Sequence, residues 1–268
     1  MNLRPTHYLR ALQGIVWREL LRFVHQRERF ISALVRPLMW LFIFAAGFRS
    51  TLGVAIIPPY ETYILYEVYI TPGLVGMVQL FNGMQSSLSM VYDREMGSMK
   101  TLLVSPLPRG FLLTAKLLAG VAISVIQAYV FLGIAWLYGI EAPVEGYLTV
   151  LPALILSGLM LGALGLLLSS MIRQLENFAG VMNFVIFPMF FLSSALYPLW
   201  KIRESNPFLA RIAEFNPFTY AVESIRFALY GQWNPEAFLV AGAALLVFLG
   251  GAIWGYDPTR GNLHRKSR

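Results

Sequence analysis

Five stretches of this chain, 68–92, 117–140, 146–172, 177–200 and 237–256, contain no Asp, Glu, Lys or Arg. Each is long enough as a helix to cross a hydrocarbon core of about 30 Å, which takes roughly 20 residues. A segment immersed in lipid must satisfy its own backbone hydrogen bonds, so only helices and closed barrels are available to it. The runs are continuous rather than alternating apolar and polar, which argues against a barrel. The rest of the chain fits the same class. Charged residues make up 13% of it and hydrophobic ones 57%, where a soluble domain carries about 25% charged residues. The expectation is an all-α polytopic membrane protein.

Six transmembrane helices are predicted, at about 33–53, 70–91, 111–138, 147–171, 178–198 and 236–256. The first is the least regular, because Arg36 and Arg49 leave only 37–48 free of charge and their long stems must snorkel to the interfaces. Arg49 reads as an outer anchor or as a residue facing a transport path. Ahead of this span, 5–30 reads as an amphipathic helix. Leu9, Leu12, Val16, Leu20 and Phe23 recur at helical spacing and arginines occupy the other face, so it lies in the headgroup plane. It lacks the apolar core and small-residue cleavage site of a signal peptide. In the second span Gln79, Asn82 and Ser86 share a face with Ser89, pointing either at a partner helix or at a path. The fourth span carries Gly158 and Gly162 in GxxxG spacing, a signal of close helix packing. Tyr60, Tyr63, Tyr66 and Tyr69 recur every third residue, as in an aromatic belt at the interface.

Between the fifth and sixth spans, 199–235 is too long for a turn and too apolar for a free loop. Its Asn-Pro steps, at Asn206 and at Asn216-Pro217, start helices, with Asn as cap and Pro in the first turn. Phe218, Val222, Ile225 and Leu229 share a face beyond Asn216, while Glu223 and Arg226 pair at i, i+3. Tyr220 lies between them. We read outer re-entrant helices here, dipping into the outer leaflet where protein covers their ends.

Orientation follows from the cations. With the N-terminus inside, 16 of the 21 Lys and Arg residues face the cytoplasm, which satisfies the positive-inside rule. Both termini and 92–110 are then cytoplasmic. The chain divides into an N-terminal cytoplasmic helix over 1–32, a six-span domain over 33–256 and a basic cytoplasmic tail over 257–268. The net charge of +7 clusters beside spans, a topology signal rather than a groove for nucleic acid.

Several chemistries find no residues. There is no GxxxxGK[ST] loop to cradle ATP phosphates, no GxSxG and no HExxH. The three histidines sit near the termini without ligand spacing, and there is no cysteine. Glu61, Glu67, Glu141 and Glu145 fall in outer loops as solvated carboxylates, and no carboxylate pair lies within a span. We therefore expect no catalytic residue, no metal site and no cofactor bound by this chain. A non-transporting membrane scaffold or assembly factor is the alternative reading. An intramembrane transferase would need acidic or histidine clusters that the sequence lacks.

The segment 92–110, YDREMGSMKTLLVSPLPRG, remains. As a short helix over 92–108 it puts Met96, Met99, Leu102 and Leu103 on one face and Asp93 and Glu95 at its positive N-terminal end. Ser105-Pro106 stops it. Such a helix either lies in the headgroups or fits a groove on a soluble partner.

The stretch DREMGSMKTLLVSPLPRGFLLTAK resembles the cytoplasmic-loop signature of ABC-2 family ABC transporter permeases. Asp93, Arg94, Glu95, Gly97, Ser98, Leu102, Leu103, Pro106 and Lys116 match it, and Lys100 departs from the acidic residue many members carry. PMFFLSSALYP at 188–198 resembles the end of that family's fifth span, and NPFTYAVESIR at 216–226 its outer re-entrant helix. The resemblance implies a six-span permease of type V ABC exporter-like fold. It implies a homodimer with two copies of an ABC ATPase subunit, which supplies ATP and Mg, in a bacterial cytoplasmic (inner) membrane with its lipids. It makes 92–108 the coupling helix, with Asp93, Arg94, Glu95, Gly97, Ser98, Met99, Thr101, Leu102 and Pro106 at the ATPase. It implies export of lipids, glycans, lipo-oligosaccharides or drugs.

Overall fold

The computed structural model describes residues 5–25, 27–48, 53–54, 57–95, 107–172 and 174–256. Long helices dominate them: α1 (Pro5–His25), α2 (Arg27–Phe48), α3 (Tyr66–Glu95), α4 (Arg109–Leu137), α5 (Gly146–Met171), α6 (Leu175–Phe191) and α10 (Pro235–Gly255). Three short helices, α7 (Leu199–Ser205), α8 (Pro207–Phe215) and α9 (Pro217–Leu229), fill the segment between α6 and α10. A two-residue antiparallel pair, β1 (Gly53–Val54) with β2 (Ile64–Leu65), precedes α3. Nothing in the sequence pattern suggested it.

Three of these helices are long and apolar enough to cross a bilayer by composition alone: α4 from Gly110 onward, α5 and α10. Each contains most of a charge-free run, although α4 begins at Arg109 and takes in Lys116, and α10 takes in Glu236. Gly139 takes φ +89° beyond α4 and Gly231 φ +68° beyond α9, a backbone region where a side chain is strained. At 30 residues, α3 spans about 45 Å, but it carries polar groups on its buried faces. Departures from the expected spans are local. The first predicted span, 33–53, lies on a helix that starts at Arg27 and ends at Phe48. The fifth, predicted over 178–198, is helical only to Phe191. Leu192 leaves helical geometry at φ −95°, ψ 57°, and the chain turns through 192–198.

The Asn-Pro steps act as the sequence suggests. Asn206 Oδ1 accepts from the backbone N–H groups of Phe208 and Leu209 at 3.0 and 3.3 Å, starting α8. Asn216 Oδ1 accepts from Phe218 N–H at 3.0 Å, starting α9. Asn234 repeats the cap for α10, accepting from Ala237 N–H at 3.1 Å.

The core is built around α3 and α5. The first packs against α2, α4, α5, α6 and α9, and the second also holds α4, α9 and α10. Small residues let the two main chains touch. A Cβ placed on Gly83 would stand 2.9 Å from Gly162 N, and one on Gly165 would stand 2.7 Å from Gly83 O. The GxxxG pair Gly158 and Gly162 faces α4, against Ser124 and Leu117 respectively. The apolar face of α9 turns inward as expected, with Phe218, Val222, Ile225 and Leu229 all buried. The N-terminal helix α1 lies along α4, where Tyr8 meets Phe111 edge-on at 5.1 Å. It leaves Leu9, Trp17, Leu21 and Val24 exposed.

Candidate functional site

Two polar constellations stand out among the described residues. The first is a seam inside the bundle, where α3 meets α4 and α5. Gln79 is 1% exposed. Its Nε2 donates to the Leu154 carbonyl at 2.7 Å, and its Oε1 accepts from Ser157 Oγ at 2.5 Å. One turn on, Asn82 Nδ2 donates to Gln127 Oε1 on α4. Both amides are spent on neighbouring helices, which is how polar side chains join helices in apolar surroundings. Ser86 faces Gly120 of α4, where an added Cβ would stand 2.9 Å from its hydroxyl. The seam borders a narrow cavity of about 30 Å³ lined by Ser86, Ser87, Lys116 and Ser124, a space on the scale of water.

The second constellation lies where α9, the 192–198 turn and the first turns of α3 meet, at the end of the bundle predicted to face outward. Its centre is Arg226, 2% exposed. Nη1 donates to Glu223 Oε1 one helical turn back. Nη2 donates to the Ser194 carbonyl at 2.8 Å and, more weakly, to the Tyr69 carbonyl at 3.5 Å. The guanidinium also stacks 4.1 Å above the Tyr69 ring, a cation–π contact strengthened by burial. Burial opposes the Arg226 charge. Glu223 first, then the Tyr69 and Tyr60 rings, outweigh that cost and hold its proton above the ordinary range. Burial pushes the Tyr60 phenol well up, with Arg226 opposing. It pushes the Tyr230 phenol up to about 12, with Tyr147 adding to the rise.

The same side chains cap the end of α6. Its last carbonyls have no partners within the helix and must find donors elsewhere. Asn216 Nδ2 donates to Met189 O at 2.7 Å and to Leu192 O at 2.6 Å. Tyr69 Oη donates to Ser194 O at 2.9 Å, and Tyr66 Oη to Leu196 O at 3.0 Å. Asn216 thus serves two helices at once, with its oxygen on the start of α9 and its nitrogen on the end of α6. Beside this crown opens a cleft of about 580 Å³, bordered by Tyr69, Trp200, Arg203, Tyr220, Glu223 and Arg226. Arg203 pairs there with Glu214 of α8.

Two expectations are corrected here. Glu67 is not a solvated loop carboxylate; it sits in the first turn of α3 and is 4% exposed. Tyr60, Tyr66 and Tyr69 do not form a lipid-facing belt but are buried in the crown, and of the four only Tyr63 is exposed. Helix α9 packs over this face and covers it with protein instead. Sequence spacing brought Gln79 and Asn82 to one face, and Glu223 to Arg226. Reasoning from sequence missed Ser157 and Gln127 in the seam, and Ser194 and Tyr69 around Arg226. Gln127, the one amide side chain in its span, was the signal that could have found the seam. Asp93, Arg94 and Glu95 close the last turn of α3. Gly97, Ser98, Met99, Thr101, Leu102 and Pro106 lie outside the described residues, as does the basic tail.

A family model described as ABC-2 type transporter matches residues 10–230. A protein named as transport permease ycf38, from Porphyra purpurea, is 27% identical over 231 residues, 84% of this chain and 76% of the relative. YbhR of Escherichia coli (strain K12), named as a multidrug ABC transporter permease, is 31% identical over 166 residues, 60% of this chain and 43% of the relative. Nodulation protein J of Rhizobium leguminosarum bv. viciae is 23% identical over 213 residues, 75% of each.

Proposed function

This chain belongs to the ABC-2 type transporter family, and from that premise we propose that it is the permease half of an ATP-driven exporter. Members are membrane transport subunits that are not themselves ATPases and pair with an ABC ATPase. In our reading the substrate is an amphiphile of lipid, glycan or mixed type, leaving the cytoplasm or the inner leaflet. Two copies of this chain pair in a bacterial inner membrane, termini inward, above two separate ATPase subunits that bind ATP and Mg. The match over 10–230 carries this reading, since it extends from the N-terminal helix to the end of α9 and includes the signature at 93–106. A relative named as a multidrug ABC transporter permease supports transport over a scaffold role.

Energy would enter at 92–108. In this reading Asp93, Arg94, Glu95, Gly97, Ser98, Met99, Thr101, Leu102 and Pro106 meet the ATPase, with Arg94 and Glu95 in polar contact and Met99 and Leu102 in its groove. ATP-driven closure of the two ATPases pushes on this segment and rocks the spans. Gln79, Asn82 and Ser86 then act as interhelical ties rather than as path lining, because both amides are already engaged. Asn216, Pro217, Tyr220, Glu223 and Arg226 shape the outer end.

The test is co-expression with a candidate ABC ATPase subunit from the same organism. Copurification of the two subunits, together with loss of transport in Gly97→Pro, is the expected result. Failure to copurify, or transport intact in Gly97→Pro, overturns the reading.

A further inference from the structure

Arg226 has its counter-ion on its own helix. Glu223 lies one turn away on α9, whereas the other groups Arg226 touches, the Ser194 carbonyl and the Tyr69 carbonyl and ring, belong to the 192–198 turn and to α3. If α9 parts from α3, the ion pair leaves intact and no buried charge is stranded, which is the step that makes breaking a buried pair costly. The polar contacts across that line are the Arg226–Tyr69 stacking, the weak bond to the Tyr69 carbonyl and the hydroxyls of Tyr66 and Tyr69 on the turn, beside apolar packing of Phe218 and Val222 on Gly76 and of Ala195 on Gly73. Contacts on the far side of the line keep the turn with α9: Asn216 on Met189 and Leu192, and Arg226 on Ser194.

A second observation concerns unmatched donors. Nearly all buried polar groups have hydrogen-bond partners, yet Tyr60 Oη, Ser194 Oγ and Arg226 Nε are buried with no protein partner. All three belong to this one cluster: Tyr60 packs against Tyr69 and Tyr230 at ring distances of 6.4 and 4.8 Å. Arg226, Glu223 and Tyr69 also border the 580 Å³ cleft, so water can follow any separation. Closed, the cluster leaves donors unmatched; opened, it lets water reach them.

We propose that Arg226 is a positioning residue that latches α9 and the 192–198 turn onto α3, and that this latch releases with Glu223 still attached in each transport cycle. The proposal rests on the transporter reading above, and its test separates the two.

The chain has no cysteine, so Ser194→Cys introduces a single thiol at a position 1% exposed. The probe is a membrane-impermeant maleimide added outside right-side-out vesicles that hold the chain and its ATPase. A buried thiol reacts only through opening, so ATP turnover should raise its labelling rate on the order of ten-fold over the resting state. Arg226→Gln in that background should raise the resting rate toward the turnover value, and Arg226→Lys, which keeps a cation beside the Tyr69 ring, should restore slow labelling. Tyr69→Phe removes one hydroxyl and no charge, and should move the resting rate in the same direction, so the outcome does not hang on whether Arg226→Gln folds. Equal labelling with and without ATP, or a resting rate unmoved by Arg226→Gln and Tyr69→Phe, overturns the latch. Glu61→Cys, in the exposed loop before α3, is the sidedness control. Its labelling from the inside alone would refute the assigned orientation, and the latch would then be read from that side.

Discussion

Replacing Asn216 probes the join between α6 and α9 with two variants that differ in one property. Asn216→Ala removes the cap on Phe218 N–H, a loss of about 1 kcal/mol, and two donated bonds worth about 1 kcal/mol each. The sum of about 3 kcal/mol corresponds to a fall in Tm of about 6–12 °C for a chain of this size. Asn216→Asp keeps the acceptor for Phe218 N–H but turns an acceptor toward the carbonyls of Met189 and Leu192, now 2.7 and 2.6 Å from the donating nitrogen. An ionised carboxylate there is repelled, so its pKa in the folded protein rises above the ordinary value of about 3.9. A group with a raised folded pKa stabilises below its unfolded pKa, and that contribution is lost as pH rises through the folded pKa. Asn216→Asp should therefore be at least as unstable as Asn216→Ala at neutral pH and recover on acidification, while Asn216→Ala keeps a constant offset from wild type. Thermal unfolding of the detergent-solubilised protein, followed by tryptophan fluorescence across pH, measures both. Wild-type stability of Asn216→Asp at neutral pH would refute the reasoning, since it would mean that the two donated bonds carry no weight.

Gly83→Ala places a methyl 2.9 Å from the backbone of Leu161 and Gly162 and should cost about 1–3 kcal/mol by overpacking. Gly133→Ala meets nothing within 4 Å and should gain about 0.5–1 kcal/mol from helix propensity. Denaturant titration of the two variants should move them in opposite directions. At alkaline pH, Tyr230 should keep its proton from the ordinary value of 10.0 up to about 12, so its contribution to stability is complete below pH 10 and lost as pH rises through 12. Phenolate absorbance of wild type minus Tyr230→Phe gives this midpoint directly, and a midpoint near 10 would contradict the burial described here.

Helices whose limits are set by local chemistry were legible in the sequence. The predicted spans over 111–138, 147–171 and 236–256 match α4, α5 and α10 within a residue or two, and the Asn-Pro steps mark the starts of α8 and α9, because a cap needs only the next three residues. What was not legible depends on distant chain. A tyrosine every third residue fits a lipid-facing belt as well as a buried helix face, and only the return of α9 over α3 decides between them. Glu67 is misread for the same reason: its neighbours in sequence look like a loop, while its neighbours in space are core. The i, i+3 pairing of Glu223 and Arg226 could be read from spacing. The burial of that pair could not, since nothing local distinguishes an exposed pair from one roofed by Tyr69. The end of α6 at Phe191 escaped because the apolar run continues through 192–198 although the backbone turns.

The direct backbone contact of α3 with α5 has a mechanical consequence. With Gly83 and Gly165 in place of larger side chains, no compliant layer of rotamers separates the two helices, and close-packed interiors compress little. They behave as one stiff beam. Because α3 runs from Tyr66 to Glu95, over about 45 Å, a tilt of about 5° about one end carries the other end about 4 Å, by the rise of 1.5 Å per residue. That displacement exceeds the reach of any hydrogen bond. Leverage of this kind needs no relay of side chains from one end of the bundle to the other; the length of the beam supplies it.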